Sequence, residues 1–171
     1  MAGSTTNFLW PFPVVGDPAT VAPDMAALAA AADASLGNAF TAYTPTWTAV
    51  TTPPAIGNGT LFGRAKRFGK WGVYSITMVA GNTTTFGTGA WRFALPAGWQ
   101  VFTLNTFAGM GNVFQTAGTI TTTGAVLAVT VGPPGTLEFR PSGAAAAAGV
   151  TVPFAWTTLN YLQMSGVIEL A

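Results

Sequence analysis

Most of the positive charge of this chain lies in one short stretch, GRAKRFGK, at residues 63–70. Four of the six basic residues are found here: Arg64, Lys66, Arg67 and Lys70. Together with Phe68 and Trp71 they could bind a phosphate or another polyanion by charge and stacking. In a strand, however, alternate residues point to opposite faces, so Arg67 is separated from Arg64 and Lys66. The pattern therefore favours a solvated face with a charged edge, and anion binding is the alternative.

Acid–base chemistry would need two neighbouring carboxylates. Glu138 and Glu169 are the two acidic residues of the β region, and a glycosidase needs such a pair about 5 to 10 Å apart. Glu138 shares a strand face with Arg140, which predicts a surface ion pair, and Glu169 lies near the C-terminus, where fraying is usual. The absence of Cys and His excludes disulfides, zinc sites with those ligands and His-based triads. We therefore expect no enzyme activity, catalytic residue, metal site or cofactor.

Six tryptophans are many for a chain of 171 residues, and an exposed indole can stack on the face of a sugar. Trp47, Trp91 and Trp156 lie in strand-like runs, so we expect them in the core. Trp99 follows the turn sequence PAG and is the candidate for a carbohydrate contact. The alternative for Trp99 is a loop side chain folded over the end of the β domain.

The elements that must position these side chains are strands. Eight runs after residue 40 are rich in Val, Ile, Thr and aromatic residues, and Gly, Pro or Asn bounds them. They are residues 43–50, 60–68, 70–80, 90–96, 101–109, 124–131, 135–141 and 162–170. No helical pattern interrupts them, which predicts a mainly β head over residues 39–171, an antiparallel β-sandwich of jelly-roll type. Runs 60–68 and 70–80 should form a hairpin with Gly69 at the positive φ position of its turn.

A helical pattern precedes the strands, and we assign the helix segment to residues 17–38. Pro23 suits the first turn of a helix, Asp24 suits its positive end, and Gly37 suits the position after the last turn. A narrow apolar stripe runs along it: Met25, Leu28, Ala32 and Leu36. A helix of this length is marginal alone, so the stripe packs either on the β domain or on copies of itself in a three-fold bundle. The second reading makes the segment a trimerisation element and the stripe the oligomer interface.

The composition limits the partners of the chain. Only 6% of the residues are charged and 50% are apolar, so covering apolar surface with copies of the chain is favoured. The net charge of +1 gives no field that attracts nucleic acid or acidic lipid. No run reaches the roughly 20 apolar residues of a membrane helix. We expect self-association, without nucleic-acid binding or membrane insertion.

The N-terminal residues 1–16 differ in character from the rest. Phe8, Trp10, Pro11 and Pro13 fall within the sequence FLWPFP. Proline fixes φ and biases the preceding residue away from helix, which predicts an extended arm.

Two long segments carry a family resemblance. YTPTWTA, at residues 43–49, and IGNGTLFGRAKRFGKWGVYSITMVAGNTTTFGTGAWRFALPA, at residues 56–97, resemble the C-terminal β domain of tail fibres and minor tail proteins of bacteriophages that infect actinobacteria. NFLWPFPVVGDPATVAPDMAALAAAADASL, at residues 7–36, is similar to the arm and helix that precede such domains. The family pattern often ends in an acidic GD step after PF.W, where this chain has residues 157–161.

The resemblance implies a homotrimeric virion protein, in the tail or as a capsid fibre, whose head contacts a glycan of the host envelope. The arm would hold other virion proteins through Phe8, Trp10, Pro11 and Pro13. The candidate contacts with the host surface are Trp99, Arg64, Lys66, Arg67 and Lys70. The alternative function is that of a lectin-like carbohydrate-binding module that works alone. The mass of the chain in solution distinguishes this monomeric module from a trimeric virion protein.

Overall fold

The computed structural model describes residues 3–4, 11–12, 21–37, 39–102, 107–115, 127–131, 135–141 and 146–171. Within these ranges the chain forms one helix, α1 (Val21–Leu36), and eleven strands. The first two strands, β1 (Gly3–Ser4) and β2 (Pro11–Phe12), pair with each other in antiparallel fashion. The others are β3 (Thr41–Tyr43), β4 (Trp47–Ala49), β5 (Thr60–Phe68), β6 (Trp71–Val79), β7 (Trp91–Ala94), β8 (Phe107–Phe114), β9 (Leu127–Val131), β10 (Thr136–Pro141) and β11 (Tyr161–Glu169).

Strands β3 to β11 form a nine-stranded antiparallel sheet in the order β3-β5-β6-β11-β8-β9-β10-β7-β4. The strands at its two ends, β3 and β4, are separated by only residues 44–46, so the sheet must fold over on itself. Its two halves then face each other across one core. The head is therefore an antiparallel β-sandwich preceded by a short helix, and the predicted fold class is confirmed.

Alternation of side chains along each strand fills this core. In β6 the residues at even positions are buried and those at odd positions are partly or fully exposed. Ile76, Met78 and Met164 come from one half of the sheet and join Phe93 and Phe139 of the other half in one buried cluster. The predicted core tryptophans belong to it: Trp47, Trp91 and Trp156 are 7%, 0% and 5% exposed.

The predicted strands lie close to the observed ones, with two differences. Residues 43–50 do not form one strand but contribute to β3 and β4 on either side of Pro45, because proline has no N–H to donate to a ladder. In the run 101–109, of which residues 103–106 lie outside the described ranges, Val101 forms a bridge with Leu170 and Phe107 begins β8, which continues to Phe114.

The helix ends where the sequence predicts, although for a different reason. Gly37 follows the last residue of α1, and its N–H donates to the carbonyl oxygen of Asp33 at 2.6 Å. A Cβ on Gly37 would lie 2.6 Å from that same oxygen. Close approach of the main chain, rather than a positive φ, requires glycine here.

The C-terminal residues are not frayed, so that expectation for Glu169 is wrong. Glu169 pairs with Trp71 in β6. Beyond it, Leu170 N–H donates to Lys70 O at 2.7 Å and Ala171 N–H donates to Gln100 O at 2.9 Å. The end of β11 is therefore held by hydrogen bonds on both sides.

Most of the predicted arm lies outside the described residues, including Phe8, Trp10 and Pro13. Pro11, in β2, pairs with Ser4, so the described residues of this segment are extended and folded back on each other. Strand β2 lies against α1.

Candidate functional site

The basic stretch lies in the β5–β6 hairpin. The strands pair from Thr60 with Val79 to Phe68 with Trp71, which leaves Gly69 and Lys70 as a two-residue turn. Gly69 has φ 59°, so the predicted positive φ in this turn is confirmed. The short turn fixes the register of the basic side chains on β5.

The four basic residues are divided between the outer face of β5 and the turn. Arg64 and Lys66 alternate with the buried residues Gly63 and Ala65, so both lie on the face turned away from the core. The Arg64 guanidinium lies 5.8 Å from the centre of the Phe40 ring.

At the turn end of β5, the Arg67 Nε donates to the carbonyl oxygen of Gly69 at 2.7 Å. Lys70 is an exposed residue of the turn itself.

Lys66 connects the head to the helix. Its Nζ donates to the main-chain carbonyl oxygen of Leu36 at 2.7 Å and lies 4.6 Å from the centre of the Phe68 ring. A cation is favourable at this position because the last carbonyl groups of a helix carry partial negative charge. The edge predicted to be only solvated therefore makes contacts within the chain.

A groove of about 300 Å³ lies where the helix meets the head, and we call it the junction groove. Its lining includes Ser35, Thr41, Tyr43, Lys66, Arg67 and Trp99. Three of the predicted host-contact residues, Lys66, Arg67 and Trp99, are thus brought together. Arg64 and Lys70 are not part of its lining.

Trp99 is placed in the groove by a tight turn and a glycine. The main-chain N–H of Trp99 donates to Pro96 O at 3.0 Å, and Gly98 has φ 78°. The indole lies on Gly72, where a Cβ would come within 2.4 Å of the Trp99 Cζ3. Trp99 is half-buried and packs against the core. It therefore folds over the end of the sandwich, as the alternative predicted, and it also lines the groove; the carbohydrate contact stays a prediction.

Tyr43 is a groove residue that sequence reasoning missed. Its ring lies over Gly63, where a Cβ would be 2.5 Å from the Tyr43 Cε1. The Tyr43 hydroxyl is buried and has no hydrogen-bond partner among the described residues. Burial raises the pKa of Tyr43 above the ordinary 10.0, so the phenol stays protonated at neutral pH. The contact depends on the pairing of β3 with β5, which nothing in the sequence indicates.

The carboxylates of the β region lie away from this groove. Glu138 Oε1 accepts a hydrogen bond from Arg92 Nε at 2.7 Å, because the two residues face each other directly in the β7–β10 pair. The sequence predicted an ion pair of Glu138 with Arg140 on the same strand, and it did not predict this pair with Arg92 across strands. Among the described residues no group of three or more His, Cys, Asp or Glu side chains could hold a metal ion.

The predicted oligomer stripe is partly covered. Met25 and Leu36 are 59% and 49% exposed, whereas Leu28 and Ala32 are half-buried. Among the described helical residues there is no span long and apolar enough to cross a membrane.

Comparisons with protein-family models, with curated proteins and with solved structures found no match. The junction groove offers one indole, two cations and the hydroxyls of Ser35 and Thr41. Its described lining contains no carboxylate that could act as a general base on those hydroxyls. The arrangement is suited to binding an anionic, hydroxylated ligand.

Proposed function

We propose that this chain is a homotrimeric structural protein of a bacteriophage particle, as a tail fibre, minor tail protein or capsid fibre. The arm and helix would join it to its copies and to other virion proteins, and the β head would contact the host surface. The exposed apolar stripe of α1 carries this proposal. Its phage component rests on the resemblance of residues 7–36, 43–49 and 56–97 to such proteins.

The stripe supports self-association because the described core of the head is built without the helix. Among the residues whose burial the structure describes, the buried cluster starts at Trp47 and includes no residue of α1. A helix of 16 residues is marginal in isolation and gains most of its stability from packing. With Met25 59% exposed, copies of the same helix are the simplest cover, and the alanines beside the stripe allow close approach.

The test is the mass of the chain in solution, measured by sedimentation. Leu28→Asp would place an uncompensated charge in a dry seam, at a cost of about 3–5 kcal/mol, and should give monomers. Ala30→Asp is the matched control because residue 30 is exposed and lies on the opposite side of the helix. A parent chain that is monomeric, or a Leu28→Asp variant that remains trimeric, would show the proposal to be wrong.

The anchoring role is tested separately with particles. Deletion of residues 1–16 should leave the head folded, because none of the core residues that the structure describes belongs to this segment. The truncated protein should nevertheless be missing from virions. Particles that contain it at normal copy number would contradict the anchoring role.

A second candidate function, a lectin-like module that acts alone, is supported by the junction groove. Trp99 provides an apolar ring face beside the cations of Lys66 and Arg67. A stable monomer that binds acidic oligosaccharides in calorimetry, and loses that binding in Trp99→Ala, would favour this function over the first.

A further inference from the structure

One end of the outer face of the head carries apolar side chains around a carboxylate. Phe68 pairs with Trp71 and Trp71 pairs with Glu169, while Phe102 N–H donates to Glu169 O at 2.9 Å. Four neighbouring segments therefore place these residues in one row across the sheet. Behind the row, Val73 of β6 pairs with Val167 of β11. We define the end patch as these six residues: Phe68, Trp71, Val73, Phe102, Val167 and Glu169.

The end patch is turned away from the core. Its members alternate with buried residues such as Gly72, Val101 and Ile168. Three of its apolar side chains are widely exposed: Trp71 is 54%, Val167 is 58% and Phe102 is 40% exposed. Exposed apolar groups on neighbouring segments of one sheet face, unlike scattered ones, indicate an interaction surface.

Two side chains of opposite charge, Glu169 and Lys70, lie at the end patch without a partner among the described residues. Glu169 lies between Trp71 and Phe102, and Lys70 is the turn residue next to Trp71. In the part of the chain that the structure describes, neither the Glu169 carboxylate nor the Lys70 ammonium has a hydrogen bond or an ion pair. A partner surface that covers the patch must therefore offer apolar groups together with a cation for Glu169 and an anion for Lys70. A second copy of the chain offers all three groups, because it carries the apolar residues of the patch, the Lys70 cation and the Glu169 anion.

The end patch is continuous with the helix. Lys66 pairs with Val73, and its ammonium binds the carbonyl oxygen of Leu36 at the end of α1. The same ammonium lies over the ring of Phe68, a residue of the patch on the same strand, so the C-terminal end of the helix lies beside the patch. Contacts between helices and contacts between patches can form in one assembly.

The end patch is too small to hold an assembly together alone, but its size suits a contact that adds to the contacts between helices. A fully buried aromatic side chain covers roughly 150–250 Å². Two half-exposed rings and two valines thus leave on the order of 300 Å² of apolar area, against about 800 Å² per partner in a standard interface. The patch would support an assembly that the helices also hold together.

We propose that the end patch is the contact between neighbouring heads, in which Glu169 of one copy pairs with Lys70 of the next and the copies of Trp71 pack near the symmetry axis. This inference rests on the proposed function for the trimer and identifies a second surface that builds it. Such a contact repeats around a three-fold axis because each copy supplies both charges.

Charge exchange tests the pairing, with the mass of the full chain measured by sedimentation over a range of concentrations. Glu169→Lys and Lys70→Glu should each place like charges opposite each other and weaken the trimer by about tenfold or more. The double variant, Lys70→Glu with Glu169→Lys, should recover trimer affinity to within about threefold of the parent. Asn112→Lys is the control, since Asn112 is exposed on the same sheet face but lies outside the patch. It should leave the trimer unchanged.

The outcomes separate this inference from the proposed function. A trimeric parent whose two single variants are also fully trimeric, or whose double variant is not restored, overturns the end-patch contact and leaves the trimer standing. A parent that is monomeric throughout overturns both proposals. Far-ultraviolet circular dichroism checks that each variant is folded. If a charge variant does not fold, the Trp71→Ser variant is measured in its place. A weakened Trp71→Ser trimer supports the contact between patches, and an unchanged trimer refutes it.

Discussion

The ammonium of Lys66 lies 2.7 Å from the main-chain carbonyl oxygen of Leu36, so a strand of the head holds the last residue of α1. The Phe68 ring lies beneath the same ammonium, 4.6 Å from it. One side chain thereby fixes how the helix leaves the sheet, and it also forms part of the junction groove. This lysine therefore contacts the helix, the groove and the outer face of β5.

Replacement of Lys66 by Met should loosen the end of the helix. The lost contact with the helix terminus should cost about 0.3–1 kcal/mol, because the site is exposed and screened by solvent. Amide hydrogen exchange in the last turn of α1 should become faster. Arg140→Met, which removes a cation from the other half of the sheet, should leave that exchange unchanged. Equal exchange in the Lys66→Met variant and the parent would show that the contact does not hold the helix.

Two glycines near Trp99 should respond differently to alanine. In Gly72→Ala the new Cβ would come 2.4 Å from Trp99 Cζ3, so the indole must move, at a cost of about 1–3 kcal/mol. In Gly98→Ala the Cβ meets nothing within 4 Å, but φ of 78° strains the backbone by about 1–2 kcal/mol.

Both variants should be less stable in chemical denaturation, whereas only Gly72→Ala should shift the indole N–H resonance of Trp99 strongly. Equal shifts in the two variants would contradict the packing of Trp99 on Gly72.

Two buried tyrosines should differ in what their hydroxyls contribute. Tyr74 Oη donates to Ala108 O at 3.1 Å in the core, so Tyr74→Phe should lower the free energy of unfolding by about 1–2 kcal/mol. The Tyr43 hydroxyl has no partner among the described residues, so Tyr43→Phe should change it by less than about 0.5 kcal/mol or raise it. Urea denaturation measures both. A larger loss for Tyr43→Phe than for Tyr74→Phe would mean that the Tyr43 hydroxyl is bonded in solution.

The same tyrosines predict sensitivity to alkali. Burial raises the pKa of Tyr74 above its ordinary 10.0, and the charge of Tyr43 raises it further. A raised folded-state pKa means that the unfolded state releases the proton first, so the stabilisation is complete below pH 10 and is lost as the pH rises beyond it. Stability should therefore fall above about pH 10, by roughly 1 kcal/mol per pH unit for Tyr74. In Tyr74→Phe this component of the slope should vanish, and an unchanged slope would contradict the assignment.

Local chemistry made the strands and the hairpin predictable. Residues 60–68 form β5 with the predicted bounds, and Gly69 has the predicted positive φ, because alternation and turn geometry are properties of neighbouring residues. Burial of Trp47 and Trp91 was predictable for the same reason, since each lies in a predicted strand. Trp156 is buried as predicted, although it lies outside the observed strands.

The junction groove was only partly predictable, because contacts across the sheet depend on which strands pair. Tyr43 meets Gly63 through the β3–β5 pair, and Glu138 meets Arg92 through the β7–β10 pair. The contact of Lys66 with Leu36 joins residues from different elements. The sequence supplied the candidates Lys66, Arg67 and Trp99 by residue type, but it could not show that they share one groove.

The two edge strands of the nine-stranded sheet affect how molecules of this protein can pair through their sheets at high concentration. In the described part of the chain both edge strands, β3 and β4, are only three residues long, and residues 44–46 join them. Strands β3 and β4 themselves therefore offer a neighbouring chain only short rows of N–H and C=O groups to extend by strand addition. Next to β3, the longer β5 is paired on that side only at residues 63–65. Any strand addition at this edge must therefore start on β5, to either side of β3.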